Sequence, residues 1–161
     1  MKFLGCLLFS LFSSAYAAEL HGSIVSIHDG DTITVQVDRQ RIKVRLVDID
    51  APESKQPFGQ QSRQALSALC SGNPVRIETK SKDRYGRSLA GVTCGTTYVN
   101  AELVRQGMAW VYDKYVQDRS LYQLQDEARS AKRGLWADPN SIAPWQWRAT
   151  KARWSSKPMT T

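Results

Sequence analysis

The sequence predicts an α+β fold: a small closed five-stranded β-barrel carrying three helices. Three observations point to it. Short period-two segments rich in Val, Ile and Thr run from residue 19 to residue 50, a helical segment then interrupts the strands, and two further helical segments follow the last strand. A chain of 161 residues suits one such domain with a modest core.

The elements follow in order. "MKFLGCLLFSLFSSAYA" has a lone Lys2, an apolar stretch from Phe3 to Phe12 and a small-x-small end at Ala15-Tyr16-Ala17. This is the pattern of a secretory leader over residues 1–17, too short to span a bilayer. "HGSIVSIH", "DTITVQV" and "RIKVRLV" read as a three-stranded meander broken by "DGD" and "DRQ". In the third strand Val44 and Leu46 share one face, while Lys43, Arg45 and Val47 share the other. Asp29-Gly30 before an alternating run is hairpin-turn chemistry. "APESKQP" stops the sheet with two prolines. Phe58–Leu69 is a first helix, ended by "SGNP"; "PVRIETK" and "RSLAGVTC" are two more strands around the polar loop "SKDRYG". Val99–Gln106 is a second helix closed by Gly107, and "SLYQLQDEARSAKRG" a third, with Leu121, Leu124 and Ala128 on one face. Five short strands with this helix placement suit a barrel of the OB type over residues 18–138. Residues 139–161 form a basic, Trp-rich tail without periodicity, expected to be ordered only in part and to pack on its own domain.

The net charge of +7 favours a polyanionic partner: nucleic acid, an anionic surface or an acidic glycan. Beyond the leader only Cys70 and Cys94 remain. An exported chain with an even pair invites a disulfide, two buried free thiols being the alternative. No CxxC is present and His21 and His28 lie elsewhere, so the cysteines do not read as a zinc site.

Three stretches concentrate charge. The first holds Asp29 and Asp31; the second, "RLVDIDAPE", holds Arg45, Asp48, Asp50 and Glu53; the third, "KDRYGR", holds Arg84 and Arg87. Carboxylates gathered at a strand end are costly unless a cation neutralises them. With no His or Cys nearby the donors are all oxygen, which selects Ca²⁺ or Mg²⁺ over zinc or copper. The twelve-residue spacing of an EF-hand is absent after Asp29. A hard cation, a free carboxylate and two arginines suit phosphate-ester chemistry. Asp29 and Asp48 read as turn-forming or hydrogen-bonded neighbours, Lys82 and Arg84 as steering charges, and Trp110 and Trp136 as core.

"DGDTITV", "RLVDIDAPE" and "DRYGRSLAGV", in this order, resemble the staphylococcal (micrococcal) nuclease family, and the likeness continues through "VNAELVRQGMAWVY" and "GLW", covering roughly residues 19–138. The resemblance implies a Ca²⁺ ion held by the carboxylates of Asp31 and Asp50 and the backbone carbonyl of Ala51, which stands where the family usually has Thr. It implies Glu53 as general base and Arg45 and Arg87 as the pair on the scissile phosphate. Tyr85 and a tyrosine after the second helix, Tyr115 or else Tyr112, are expected to line the nucleotide pocket. It further implies a Ca²⁺-dependent endonuclease acting on DNA and RNA and leaving 3′-phosphate ends; the leader pattern adds export, periplasmic or extracellular, a barrel this small is expected to be a monomer, and with no other apolar run long enough to cross a bilayer no membrane partner is expected. A non-catalytic nucleic-acid-binding barrel is the alternative. The presence of Asp31, Arg45, Asp50, Glu53 and Arg87 together argues against it.

Overall fold

The computed structural model describes residues 18–155. The leader expected over residues 1–17 lies outside them, as do residues 156–161. Strands β1 (Ala18–Ile27), β2 (Thr32–Val37) and β3 (Gln40–Leu46) form the expected meander. β1 serves two neighbours: Ser23 to Ile27 pair antiparallel with β2, and Ala18 to Gly22 pair with β5 (Val75–Lys82). A register shift between Ile24 and Ser26 lets it bend from one to the other. β5 pairs with β6 (Ser88–Cys94), and β6 runs parallel to β3, Val44 opposite Ser88 and Leu46 opposite Ala90. That last ladder closes five strands into a barrel and leaves none of the five with a free edge.

Alternation fills the interior. Ile33 and Val35, Val44 and Leu46, Val75 and Ile77, and Ala90 and Val92 are each at most 1% exposed. α1 (Gly59–Cys70) starts one residue later than the pattern suggests, because Phe58 takes a left-handed φ of 66° just before it. Its Leu66, with Val99, Leu103 and Val104 of α2 (Val99–Arg105), joins the same core. α3 (Leu121–Ser130) buries Leu121 and Ala128, and Gly134–Ala137 forms a single 3-10 turn beyond it. Two two-residue ladders complete the sheets. β4 (Ile49–Asp50) pairs with β8 (Trp110–Val111), and β7 (Thr97–Tyr98) pairs with β6.

Over its described residues the tail packs on its own domain, as expected, and holds a helix that the lack of periodicity did not predict. Pro144–Ser155 is α4, a fourth α-helix among the described residues. Its apolar residues are spread around the helix, so no amphipathic stripe betrays it in the sequence. Pro144 suits the first helical position, where no N–H is needed. Docking supplies the rest. Trp145 stacks on Tyr112 at 5.2 Å between centroids and meets Trp110 edge-on at 5.8 Å. Gln56 Nε2 donates to the Ile142 carbonyl at 2.6 Å. No helix among the described residues is long and apolar enough to cross a membrane.

Two buried features pin the barrel. Asn100, fully buried, accepts from Val92 N–H at 3.1 Å and donates to the Val47 carbonyl at 2.9 Å, fixing the exit of β3 to β6. Cys70 and Cys94 are joined in a disulfide with Cα atoms 5.0 Å apart, tying the end of α1 to the end of β6. Replacing Asn100 by Ala orphans a buried N–H and a carbonyl, with an expected loss of about 3 kcal/mol in urea unfolding. The double change Cys70→Ala/Cys94→Ala is expected to cost about 3 kcal/mol through the freed unfolded chain, lowering the melting midpoint by roughly 6–12 °C. A midpoint unchanged by the double change would show that the bridge contributes nothing to stability.

Candidate active site

The loop between β1 and β2 delivers the first acid. Gly30 is not among the glycines with positive φ, so the turn is not the type I′ hairpin that Asp-Gly suggests. Its glycine is required by close approach: a Cβ there would lie 2.6 Å from Ser62 Cβ and 2.7 Å from Ala51 Cβ. Asp29 shapes the turn with its side chain, Oδ1 accepting from Asp31 N–H at 3.1 Å. Asp31, 4% exposed, then accepts from Thr32 Oγ1 at 3.0 Å and, through Oδ2, from Ala51 N–H at 2.6 Å.

The second acid comes from β4. Asp50 pairs across the ladder with Trp110, which packs on Trp136 at 4.4 Å under Arg129. These two tryptophans, expected as core, are half-buried and buttress the strand that carries Asp50. Asp48, with a left-handed φ of 66°, turns the chain from β3 into β4 and accepts from Gln117 N–H at 2.7 Å, the neighbour's role expected of it.

Arg45 joins both acids. Its side chain is 12% exposed, against 5% for Asp31 and 1% for Asp50. Nη2 donates to Asp50 Oδ1 at 2.6 Å, while Nη1 lies against Asp31 Oδ2 as a charge contact without hydrogen-bond geometry. Burial lowers the guanidinium's proton affinity from its ordinary value. The charges of Asp50 and Asp29 oppose that shift, and the charge of Arg87 adds to it. An arginine stays protonated through such a shift. The two carboxylates therefore converge on the terminal nitrogens of one buried cation.

Glu53 follows three residues after Asp50, its backbone held by Gln56: Glu53 N–H donates to Gln56 Oε1 at 3.2 Å, and Gln56 N–H to the Glu53 carbonyl at 2.8 Å. A Cβ at Gly59 would stand 2.1 Å from that carbonyl, so the start of α1 must be glycine here. Glu53 finds a partner that no sequence pattern announces. Arg148 of α4 donates from Nη1 to Glu53 Oε1 at 2.7 Å and from Nη2 to Asp50 Oδ2 at 2.6 Å. Burial lowers the proton affinity of Arg148, but the hydrogen bonds to Asp50 and Glu53 outweigh it and raise it overall.

The third motif lies beside this cluster. Arg87 donates from Nε to Asp83 Oδ2 at 2.7 Å, and Asp83 Oδ1 accepts from the Tyr85 and Arg87 N–H groups. Closure of β6 onto β3 sets Arg87 next to the strand that carries Arg45. Tyr85 is 68% exposed, with the guanidinium carbon of Arg87 5.6 Å from its ring centroid and Arg84 donating to its hydroxyl. Of the two later tyrosines, Tyr112 is engaged by Trp145, whereas Tyr115 is 59% exposed.

The donor chemistry fits a hard cation. Asp31 and Asp50 are buried oxygen donors that already converge, and Ala51 is bonded to one of them. Among the described residues no three His, Cys, Asp or Glu side chains form a metal cage by themselves. Two carboxylates leave positions to backbone oxygen and water, which calcium accepts.

Fold and site together define a closed OB-type barrel with an oxygen-only acid pair and arginines at one end. The model of the family described as "Staphylococcal nuclease homologue" matches residues 43–138. The chain is 46% identical to a "Micrococcal nuclease" of Shigella flexneri, covering 81% of this chain and 82% of the relative. It is 42% identical to an "Uncharacterized endonuclease" of Escherichia coli O157:H7, covering 93% and 99%, and 45% identical to another from Haemophilus influenzae, covering 88% and 80%. The chain belongs to the staphylococcal nuclease family.

Removing the central cation while keeping its bulk, Arg45→Met, leaves Asp31 against an apolar chain and Asp50 with Arg148 alone. Urea unfolding in the presence of chelator is expected to show a loss of about 3–5 kcal/mol.

Proposed function

We propose that this nuclease is an exported, Ca²⁺-dependent endonuclease that hydrolyses the phosphodiester bonds of DNA and RNA with little base specificity, leaving 3′-phosphate ends. The observation that carries the reading is the buried Arg45 guanidinium holding Asp31 and Asp50 together, with Glu53 three residues on. Asp31, Asp50 and the Ala51 carbonyl are the groups that would hold the ion. A bound divalent cation supplies polarisation of a phosphoryl oxygen at such a site. Glu53 takes the proton of the attacking water, and the 5′-oxygen leaves. Arg45 and Arg87 bind the phosphate oxygens and offset the charge that builds on them. Asp83, bonded to Arg87 through Nε, orients that guanidinium. Tyr85 and Tyr115, both exposed, are the rings available to a splayed base, a mode that favours single-stranded or frayed substrate. Export is supported by the leader pattern of residues 1–17 and is compatible with the disulfide.

Purified protein incubated with plasmid DNA and with RNA is expected to degrade both in calcium and neither in chelator. Glu53→Gln and Arg87→Ala should each slow cleavage by about 10²-fold or more. Tight binding without cleavage in either condition would overturn the proposal in favour of a binding module.

A further inference from the structure

Beside Glu53, on the side facing α4, lies a cleft of about 310 Å³ lined by Glu53, Ser54, Lys55, Trp147, Arg148 and Lys151. Its walls come from the loop after β4 and from the helix that the sequence did not announce. Three of its six residues are cationic, one is an indole, and one is the carboxylate nearest the proposed chemistry.

We propose that this cleft is a second nucleotide subsite, in which Arg148 and Lys151, with Lys55, hold the phosphate next to the scissile one and Trp147 carries a base. The proposal rests on the nuclease reading and names the path of the strand beyond the reacting bond. Charge supports it. Asp31, Asp50 and Glu53 face Arg45 and Arg148, three negative charges against two positive. A divalent cation on Asp31 and Asp50 reverses that balance and takes up the oxygens of Asp50. Arg148 then keeps Glu53 alone of its two carboxylate partners, and, being the more exposed of the two arginines, it is the one an anionic phosphate can reach in place of Asp50. Position supports it too. Arg148 reaches Glu53 and Asp50 from outside the barrel, with its side chain 40% exposed, so it joins the reacting end to the open cleft. Lys151, one helical turn on, lies 5.2 Å over the Trp147 ring. An aromatic face with neighbouring cations is the arrangement that binds single strands without reading sequence.

Part of the anchoring of α4 lies outside the cleft. Trp145 holds the helix on Tyr112 and Trp110, and Gln56 holds Ile142 in the turn that leads into it. Substitution at 151 therefore probes the subsite without touching these anchors, whereas Arg148→Ala keeps them and loses the ion pairs to Asp50 and Glu53.

The test is equilibrium binding, in calcium, of a fluorescein-labelled single-stranded octanucleotide with cleavage-resistant phosphorothioate linkages, read by anisotropy over a range of salt, with an unlabelled dinucleotide as competitor. Arg148→Ala and Lys151→Ala are each expected to weaken octanucleotide binding by about tenfold, with dinucleotide affinity changing much less. Each should reduce the slope of log affinity against log salt by about 0.7. Arg148→Lys should recover most of the slope, because it restores the charge. Lys151 makes no contact with Asp50 or Glu53 among those described above, so its loss separates strand binding from support of the site. Unchanged affinity and slope in both Ala variants would overturn the proposal. Tighter binding by Arg148→Ala would also overturn it, making α4 a block to the strand. A wild-type protein that neither binds nor cuts would instead remove the nuclease reading, whereas one that cuts while its variants bind normally removes the subsite alone.

Discussion

One buried guanidinium organises this molecule's functional end. Asp31 arrives from the loop after β1 and Asp50 from the short strand after β3, and both meet the two terminal nitrogens of Arg45. Two carboxylates this buried would repel each other and lose their hydration without it. Arg45 can stand there only because β6 closes on β3 in a fixed register, Arg45 opposite Leu89. Since neighbouring side chains of a strand point to opposite faces, a one-residue slip would turn Arg45 into the space of Val44 or Leu46. Barrel closure and site assembly are therefore one event. Asn100 reinforces it by tying Val47, two residues after Arg45, to Val92.

The acids are held from both sides. Arg45 approaches from the barrel wall, and Arg148 approaches from α4 to bridge Asp50 and Glu53. The first is deep and supported by closed sheet structure. The second sits on a helix docked largely through Trp145, a smaller anchorage for a cation in direct contact with the proposed base. Arg45 is thus the firmer hold on the acids and Arg148 the more exposed one.

Much of this was legible in the sequence, for identifiable reasons. The barrel strands alternate because one face of each is interior, so Val44 and Leu46 separate cleanly from Lys43 and Arg45. The acids and arginines stood out because charge clustered at strand ends is costly without a function. What stayed hidden depends on tertiary contact. α4 has no apolar stripe, and its order comes from the Trp145 stack and the ion pairs of Arg148, partners about thirty and about a hundred residues away in sequence. Asp-Gly is the common hairpin signal, whereas at Gly30 the missing side chain makes room for Ser62 and Ala51, a requirement set by tertiary contact. Asn100 and Gln125 look like surface amides in sequence, yet both are buried and bonded to strand backbone.

The central claim is that the acid pair gathered by Arg45 is the cation site on which the chemistry depends. Calorimetric titration of calcium into the protein without nucleic acid tests it most directly. One ion should bind per chain, and Asp50→Asn should abolish that heat while leaving the fold intact by circular dichroism. Stoichiometric calcium binding that survives Asp50→Asn unchanged would contradict the account, because the ion would then be held somewhere other than the acids that Arg45 brings together.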